Sequence, residues 1–383
     1  MRTYNVAILG ATGAVGQEMI KILMERNFPI NELHLLASKR SAGKKMEING
    51  KEYSIEETTE QSFQGIDIVL GAAENDIAKR FLPKAVEAGA VVVDNSSAYR
   101  LDPNVPLVIP EVNPEAVASH NGIIANPNCA TIIALVALAP LHRYAKAKRM
   151  VVSTYQAVSG AGVNGIRELN QQVGAIAHEK EVEVSTFQYQ IAYNLIPQIG
   201  GFNEAGYSSE EMKMQNEGRK IMDNPDLCVN CTCVRVPVYR SHSESIMVEF
   251  DKEISVEKAR ALLQTAPGVK LVDDPEHQKY PMPLDTTDQD LVFVGRIRED
   301  MSNHTNALSF WCCGDQVRKG AATNAVQIAE LVIAQMEKSD TTLDASFKMY
   351  QEGMKLVESC NNQLDKIEKQ IIVLNDDGEN DDE

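Results

Sequence analysis

The sequence lacks several features that mark other classes of protein. None of its apolar runs approaches the ~20 residues that a membrane-spanning helix needs. The N-terminus leads directly into a strand pattern, which predicts that there is no signal peptide. The seven cysteines have no regular spacing, which argues against a disulfide scaffold and favours a reducing cytoplasm. No basic stripe is visible, so we do not expect nucleic acid as a partner.

What is present is typical of a globular protein with an acidic surface. The 383 residues are enough for two domains and a sizeable core. The formal charge is −17, and six of the negative charges fall within residues 376–383. Without those six the charge is about −11, which is still acidic. We expect the acidic segment 376–383 to be disordered.

One group of cysteines, Cys228, Cys231 and Cys233, lies close enough in sequence to suggest a metal site. From Cys231 to Val238, however, the residues alternate in character with the two-residue period of a strand. No second pair of ligands accompanies them, as a zinc site would require. We therefore predict a strand and no metal site.

The first 26 residues have the pattern of a nucleotide-binding unit. A short apolar strand, Tyr4–Leu9, precedes the glycine-rich turn Gly10–Gly16, and an amphipathic helix follows from Gln17 to Arg26. The glycines permit a tight turn and close approach of the backbone to a pyrophosphate, which the helix N-terminus then binds. Strand, turn and helix together predict dinucleotide binding.

The second strand, Leu33–Ala37, leads into Ser38-Lys39-Arg40-Ser41, where an NAD enzyme would place an acidic residue for the ribose hydroxyls. Two cations and two hydroxyls suit a 2′-phosphate, so the sequence favours NADP over NAD. The alternative is a solvated basic loop. Further strands at 66–70 and 90–94 continue the alternation of strand and helix and predict a doubly wound sheet.

Cys129 is the candidate nucleophile. It follows Asn126-Pro127-Asn128, residues that stop strands and cap helices, and precedes an apolar helical run. We therefore expect the thiol at the mouth of a helix, where backbone N–H groups and the helix dipole favour a thiolate. The alternative is a small buried apolar residue with no chemical role.

Polar clusters that could complete a site follow along the chain. Asp94–Arg100 ends one predicted strand and Tyr155–Gly162 ends another. Glu210 and Lys213 share one helix face, and Arg235 and His242 lie seven residues apart. Each cluster alone is compatible with surface polarity or capping, and His242 alone with a structural histidine. Together they supply a thiol, a base and cations able to hold carboxylate and phosphate.

With these motifs the chain resembles the aspartate-semialdehyde dehydrogenase family over residues 1 to about 338. The matching segments occur in family order: Gly10–Gly16, Ala37–Gly43, Asp94–Arg100, Ile109–Asn113, Asn126–Cys129, Tyr155–Gly160, Arg235–Val238, His242–Glu244 and Lys319–Ala322. The resemblance implies a Rossmann-type, doubly wound α/β cofactor domain over 1–128 and 315–338. It also implies an α+β catalytic and dimerisation domain over 129–314, like that of glyceraldehyde-phosphate dehydrogenase.

The resemblance implies reduction of L-aspartyl 4-phosphate by NADPH to L-aspartate 4-semialdehyde, in the biosynthesis of lysine, threonine, methionine and diaminopimelate. Cys129 would form a thioester, and His242 would act as general acid/base. The implied substrate contacts are Gln156 near the thioester, Arg235 on the carboxylate, Glu210 on the amino group, and Arg100, Asn128 and Lys213 on the phosphate.

The resemblance also implies NADP as the cofactor and an oligomeric assembly. The cofactor would lie against Gly10, Thr12, Gly13, Ala14, Val15, Gly16, Ser38, Arg40, Ser41, Ser159, Gly160 and Gln316. Family members form homodimers or tetramers, so an oligomer is implied. The chain departs from the family pattern at Glu74, which places a carboxylate near the cofactor wall.

Two alternatives stay open. N-acetyl-glutamyl-phosphate reductase shares the scaffold and the Cys/His pair, although Gln156 and the Glu210/Lys213 pair favour the aspartyl substrate. Beyond the family region, 339–375 has a single apolar seam and is predicted to be an appended amphipathic helix. Its segments 342–360 and 364–371 resemble the second helix of the exodeoxyribonuclease VII small subunit. The helix could pair with a nuclease large subunit, or simply pack on the body or on another partner.

Overall fold

The computed structural model describes residues 2–302 and 306–339. The described residues up to Val332 belong to one compact unit, and 333–339 belong to a second. Apart from Ser339, the predicted appended helix 339–375 lies outside the described residues, as does the acidic segment 376–383. Among the described helices, none is both long enough and apolar enough to cross a bilayer.

Seven strands form the first sheet. They are β1 Tyr4–Leu9, β2 Ile30–Ala37, β3 Lys45–Ile48, β4 Lys51–Glu57, β5 Ile68–Gly71, β6 Val91–Asp94 and β7 Ile123–Ala125. Their order is β3-β4-β2-β1-β5-β6-β7, and every pairing is parallel except β3 with β4. The predicted doubly wound sheet is therefore confirmed. Strands β5 and β6 are buried along their whole length, as expected of parallel strands covered on both faces.

Within the described ranges, eight α-helices accompany the strands. They are α1 Ala14–Glu25, α2 Asn75–Glu87, α3 Cys129–Ala145, α4 Gly162–Ala177, α5 Ser209–Ile221, α6 Val256–Gln264, α7 Pro283–Thr286 and α8 Thr323–Ser339. Helix α1 begins three residues before the predicted start at Gln17. The last glycine of the turn, Gly16, lies inside this helix. A Cβ at that position would approach the Gly10 carbonyl oxygen to 2.3 Å, so only glycine fits there.

The hairpin of β3 and β4 was not predicted from the sequence. Asn49 and Gly50 connect its strands with φ angles of 49° and 76°, the left-handed backbone that an Asn-Gly hairpin turn favours. Its strands carry several charged residues and bury little, so the apolar alternation that identifies a strand is weak. The Asn49-Gly50 pair is the local sequence feature that indicates this hairpin.

Six strands form the second sheet. They are β8 Ala147–Gln156, β9 Cys228–Arg235, β10 His242–Phe250, β11 Val269–Leu271, β12 Val292–Glu299 and β13 Ala307–Gly314. Their order is β11-β12-β13-β10-β8-β9, with both parallel and antiparallel pairs. Helix α3 is apolar on nearly all sides and contributes to the core that also contains the buried side chains of this sheet.

The register of the second sheet brings polar residues to one edge. Gln156 pairs with Arg235 across β8 and β9, and His242 pairs with Gly314 across β10 and β13. Because β8 ends and β10 begins at this edge, side chains distant in sequence meet there. Strand β9 alternates as predicted, with Cys231, Cys233 and Arg235 buried.

The chain returns to the first sheet after β13. A π-helical turn, Arg318–Ala322, precedes α8. Within it the fully buried Lys319 donates to Glu111 Oε2 at 2.6 Å. At the start of α8 Asn324 donates to the Val108 carbonyl oxygen at 3.0 Å and to Asn126 Oδ1 at 2.6 Å. The division into domains at residues 128 and 315 stays a prediction.

Candidate active site

Cys129 is the first residue of α3, as predicted. Asn128 caps the helix: its Oδ1 accepts hydrogen bonds from the backbone N–H groups of Ala130 at 3.1 Å and Thr131 at 3.2 Å. The asparagine thus satisfies two of the N–H groups that a helix start leaves open. The thiol is held at the helix mouth, partly exposed to a cleft.

His242 faces this thiol. Its Nε2 lies 3.5 Å from Cys129 Sγ, although the two residues are 113 positions apart. On the other side of the ring, Nδ1 accepts a hydrogen bond from the Ala157 backbone N–H at 3.1 Å. A backbone amide is always the donor, so the neutral ring carries its hydrogen on Nε2, the nitrogen that faces the sulfur.

Burial shapes the proton affinities of this pair. It lowers the pKa of the fully buried His242 to about 3, helped by the nearby Arg235, so the imidazole is neutral at pH 7. Burial, together with the Glu210 carboxylate, also raises the pKa of Cys129 to about 12. Both effects oppose the predicted preference for a thiolate in the protein without substrate, because desolvation and a neighbouring negative charge disfavour a charged sulfur.

Glu210 connects the parts of the site. Its Oε1 accepts from Asn128 Nδ2 at 2.8 Å and from Gln156 Nε2 at 3.2 Å, and its Oε2 accepts from Lys213 Nζ at 2.8 Å. Burial opposes its ionisation, but Lys213 and these hydrogen bonds lower the pKa of Glu210 to about 2. A carboxylate that stays charged is thus anchored beside the thiol.

Arg235 and Gln156 end neighbouring strands at this edge. Arg235 is buried, and its Nη1 donates to the Ala157 carbonyl oxygen at 2.7 Å. Ala157 therefore holds both Arg235 through its C=O and His242 through its N–H. Gln156 is fixed on its acceptor side by Thr154 Oγ1 at 3.0 Å. Arg235, expected to hold the substrate carboxylate, therefore lies beside Gln156, expected to orient the reacting carbonyl.

Arg100, Asn128 and Lys213 line the same cleft as Cys129. Arg100 is buried, and its Nη2 donates to the Asn95 carbonyl oxygen at 2.8 Å. Cations beside a thiol make a site in which an anionic group can lie next to the nucleophile. The structure thus brings together every residue predicted to contact the substrate.

The residues predicted to contact the cofactor divide into two groups. Val15 of the glycine-rich turn lines the cleft beside Cys129, together with Ser159, Gly160 and Gln316. Gln316 is buried; it donates to Ser159 Oγ and accepts from the Ser241 backbone N–H at 2.7 Å. One cleft therefore connects the glycine-rich turn with the thiol, an arrangement that a dinucleotide reaching a thioester requires.

The other group lies away from the thiol. Thr12, Gly13 and Ala14 are exposed on the turn, and Ser38 and Arg40 are exposed after β2, whereas Ser41 is nearly buried. Gly10 and Gly16 shape the turn from within. Glu74 is exposed at the start of α2 and is not among the residues that line the cleft with Cys129.

Three contributors to the site carried no sequence prediction. The Ala157 backbone orients His242 and Arg235, and Glu217 contacts both Asn128 and Arg100. Gly320 packs so closely on the nucleophile that a Cβ there would lie 3.0 Å from Cys129 Cβ. Glu217 was findable, because it lies seven residues after Glu210 on the same face of α5. The backbone contact of Ala157 has no sequence signal.

Family models match three segments of the chain. Residues 5–120 match the NAD-binding domain of semialdehyde dehydrogenases, and 138–319 match their dimerisation domain. Residues 324–373 match the exonuclease VII small subunit, which agrees with the resemblance noted in the tail.

Proteins with similar sequences and a similar fold are known. The chain is 53% identical to the aspartate-semialdehyde dehydrogenase of Aquifex aeolicus over 334 residues, covering 86% of this chain and 98% of the relative. It is 49% identical to that of Bacillus subtilis, covering 86% and 97%. A crystal structure of aspartate semialdehyde dehydrogenase II from Vibrio cholerae superposes with a TM-score of 0.85 at 46% identity, covering 87% of this chain and 99% of that one. The chain therefore belongs to the aspartate-semialdehyde dehydrogenase family.

Proposed function

We propose that this protein is an NADP-dependent aspartate-semialdehyde dehydrogenase that converts L-aspartyl 4-phosphate to L-aspartate 4-semialdehyde and phosphate. The observation that carries the proposal is the 3.5 Å approach of Cys129 Sγ to His242 Nε2, in a cleft that Val15 of the glycine-rich turn also lines. A Vibrio cholerae relative of the same fold has been crystallised with ASA, which supports the substrate class.

In the proposed reaction Cys129 Sγ attacks the acyl carbon, the bond from that carbon to the phosphate oxygen breaks, the thiol proton leaves with the phosphate, and a thioester forms. Glu210 receives the substrate ammonium, Arg235 the carboxylate, and Arg100, Lys213 and Asn128 the phosphate. The ammonium would offset the Glu210 charge that raises the pKa of Cys129, so substrate binding itself would make the thiolate more accessible.

His242 would donate from Nε2–H to negative charge on the sulfur or on the thiohemiacetal oxygen. To accept the thiol proton at Nε2, the ring must first carry its hydrogen on Nδ1, which the Ala157 N–H opposes. Acid/base exchange at His242 would therefore accompany the reaction steps rather than precede substrate binding. Gln156, held by Thr154 and Glu210, would orient the reacting carbonyl.

The residues present fit NADP. In the glycine-rich turn the backbone at Gly16 lies close to the Gly10 carbonyl group, which is the tight turn that pyrophosphate binding requires. Ser159, Gly160 and Gln316 line the cleft that leads to Cys129. When bound, the cofactor supplies the hydride-transfer chemistry. We propose that Arg40, Ser38 and Ser41 hold the 2′-phosphate and so select NADP over NAD. A relative from Candida albicans, with a TM-score of 0.68 at 26% identity, has been crystallised with NADP.

We further propose a cytoplasmic homodimer that serves the biosynthesis of lysine, threonine, methionine and diaminopimelate. The 138–319 segment matches a dimerisation domain, and it exposes large apolar side chains such as Tyr189, Tyr193 and Phe202. Sedimentation analysis tests the dimer: a single species of monomer mass at micromolar concentration would refute it.

The decisive assay uses aspartate semialdehyde, NADP and phosphate, and monitors NADPH formation. We expect turnover that depends on phosphate, with N-acetyl-glutamate semialdehyde as the control substrate. Faster turnover of the control would assign the protein to the N-acetyl-glutamyl-phosphate reductases instead.

The tail supports a second, separate proposal: an interaction module for a nuclease large subunit. The match to the small-subunit model begins at residue 324, but Asn324 is already committed to Val108 and Asn126 within the first unit. The segment free for a partner would therefore begin after α8. Truncation after Lys338 should leave the reductase activity unchanged and abolish binding of the large subunit. Absence of binding by the intact chain would dismiss the module.

A further inference from the structure

One face of α5 carries four polar residues that hydrogen-bond within the site or to the segment that carries Arg100. Glu210, Lys213, Glu217 and Lys220 follow one another at spacings of three, four and three residues, which places them on a single helical stripe. The proposed function uses the first two. Glu217 and Lys220 have no role in it, yet both make long-range contacts to the elements that carry the phosphate-binding residues.

Glu217 joins two parts of the site. Its side chain is 2% exposed. Oε2 accepts from the Asn128 backbone N–H at 2.7 Å, and Oε1 accepts from Arg100 Nη1 at 3.2 Å. One carboxylate therefore connects the guanidinium of Arg100 with the residue that precedes Cys129.

Lys220 fixes the loop that carries Arg100. Its Nζ donates to the carbonyl oxygens of Arg100 at 2.9 Å, Asp102 at 2.6 Å and Val105 at 2.7 Å. These three backbone contacts use all the donors of the ammonium group. Helix α5 thus holds both the backbone and the side chain of Arg100.

The contacts within the fold leave some donors of Arg100 unused, although its Nε is buried. Nη1 is taken by Glu217 and Nη2 contacts Asn95, whereas Nε has no hydrogen-bond partner within the described residues. Arg100 lines the cleft together with Cys129 and Lys213. An arginine with this long side chain adopts many rotamers unless its guanidinium is held, so its direction depends on the partner that Glu217 provides.

We propose that Glu217 is a positioning residue for the phosphate subsite. It does not contact the phosphate; it holds Arg100 and Asn128 in the orientation that binds the phosphate beside Cys129. The inference rests on the proposed function. Its consequence is specific, because the residue should affect phosphate far more than aspartate semialdehyde or NADP.

The charge of Glu217 gives the test its direction. A carboxylate near an anion site repels the anion, so if Glu217 acted only through its charge, Glu217→Gln would bind phosphate more tightly. If it acts by positioning, Glu217→Gln should bind phosphate more weakly, because one amide cannot accept from both donors through two oxygens. Glu217→Asp keeps the charge and shortens the reach, so positioning predicts a similar loss.

The experiment measures NADPH formation while phosphate and aspartate semialdehyde are varied in turn, for the wild type, Glu217→Gln, Glu217→Asp and a control. The control is Glu211→Gln, a buried carboxylate of the same helix that accepts from the Ser208 and Cys233 backbone N–H groups and does not touch Arg100 or Asn128. We expect the KM for phosphate to rise roughly 10- to 100-fold in both Glu217 variants. The KM for aspartate semialdehyde should change less than about threefold, as should both values in the control.

A second readout does not need turnover. Phosphate should protect Cys129 from alkylation, and the half-protecting concentration should rise in parallel with the KM in the Glu217 variants. An unchanged or lower phosphate KM in Glu217→Gln, or an equal rise in Glu211→Gln, would overturn the proposal. If Glu217→Gln does not fold, Glu217→Asp decides by the same measures. A wild type without phosphate-dependent turnover would refute the proposed function instead, so the two failures are distinguishable.

Discussion

The cofactor edge of the first sheet and the substrate edge of the second sheet are built in different ways. The cofactor edge is formed largely by one local segment, in which strand, glycine-rich turn and helix follow one another within about 25 residues. Its residues Thr12 and Gly13 are exposed, as is Arg40 after β2. At the substrate edge Cys129, Gln156, Glu210, Arg235 and His242 come from five separate elements. Most of these side chains are buried and hydrogen-bonded to one another.

The difference shows what each edge has to do. A backbone cradle and exposed cations suit a large ligand that enters and leaves. Buried charges held by several partners suit a small substrate that must be placed against a sulfur atom. Substitutions at the substrate edge should therefore have large effects on turnover, and substitutions at the cofactor edge should mainly change the preference between cofactors.

The largest effect should come from the nucleophile. Cys129→Ala removes the only sulfur that His242 faces among the described residues, so phosphate-dependent NADPH formation should fall by at least about 10⁴-fold. Cys228→Ala, which removes an exposed thiol at the start of β9, is the matched control and should keep normal turnover. Substantial activity in Cys129→Ala would sink the assignment.

Next, the cofactor edge should respond to its exposed cation. Arg40→Ala should raise the KM for NADP by roughly 10- to 100-fold and barely change that for NAD, because only NADP carries the 2′-phosphate. Lys51→Ala, which removes an exposed cation from β4 on the same sheet, serves as the control. Equal effects of Arg40→Ala on both cofactors would contradict the predicted role.

A smaller effect concerns the thiol itself. Because the pKa of Cys129 is raised to about 12, its alkylation rate should keep rising from pH 7 to 10 without a plateau. Glu210→Gln removes the charge that adds to this rise, so alkylation at fixed pH should become up to about tenfold faster. Glu249→Gln, a change on the partner of Arg149, should leave the rate unaltered. A plateau near pH 8 in the wild type would show that burial does not control the thiol.

The smallest effect tests packing beneath the nucleophile. Gly320→Ala would place a methyl group 3.0 Å from Cys129 Cβ and 3.4 Å from its Cα, so the π-helical turn or α3 must shift. We expect a loss of about 1–3 kcal/mol in the free energy of unfolding and several-fold lower turnover. Gly174→Ala in α4, with open space around its Cβ, should instead stabilise the protein by up to ~1 kcal/mol. Thermal unfolding of the two variants makes the comparison.

The two edges also differ in what the sequence could predict. Strand β1, the glycine-rich turn and the start of α3 at Cys129 depend on neighbouring residues, so local patterns identified them. The 3.5 Å approach of His242 to Cys129 depends on the register of β8, β9 and β10, which no short segment encodes. The family resemblance, rather than the residue pattern, pointed to that pair.

The influences that oppose a thiolate at Cys129 also come from outside its local sequence. A thiol at a helix N-terminus is expected to ionise easily, and the local sequence shows that helix. One opposing effect, the charge of Glu210, comes from a residue 81 positions away, and burial within the folded chain adds to it. The Ala157 N–H, which fixes the tautomer of His242, and the Glu217 carboxylate are long-range contacts of the same kind.

The central claim is that Cys129 carries the acyl group. Intact-mass measurement after mixing the protein with aspartate semialdehyde and NADP, without phosphate, tests it most directly. We predict a mass increase of one aspartyl group on Cys129, lost when phosphate is added and not formed in Cys129→Ala. An unmodified wild-type protein that nevertheless turns over with phosphate, or the same adduct in Cys129→Ala, would contradict the account.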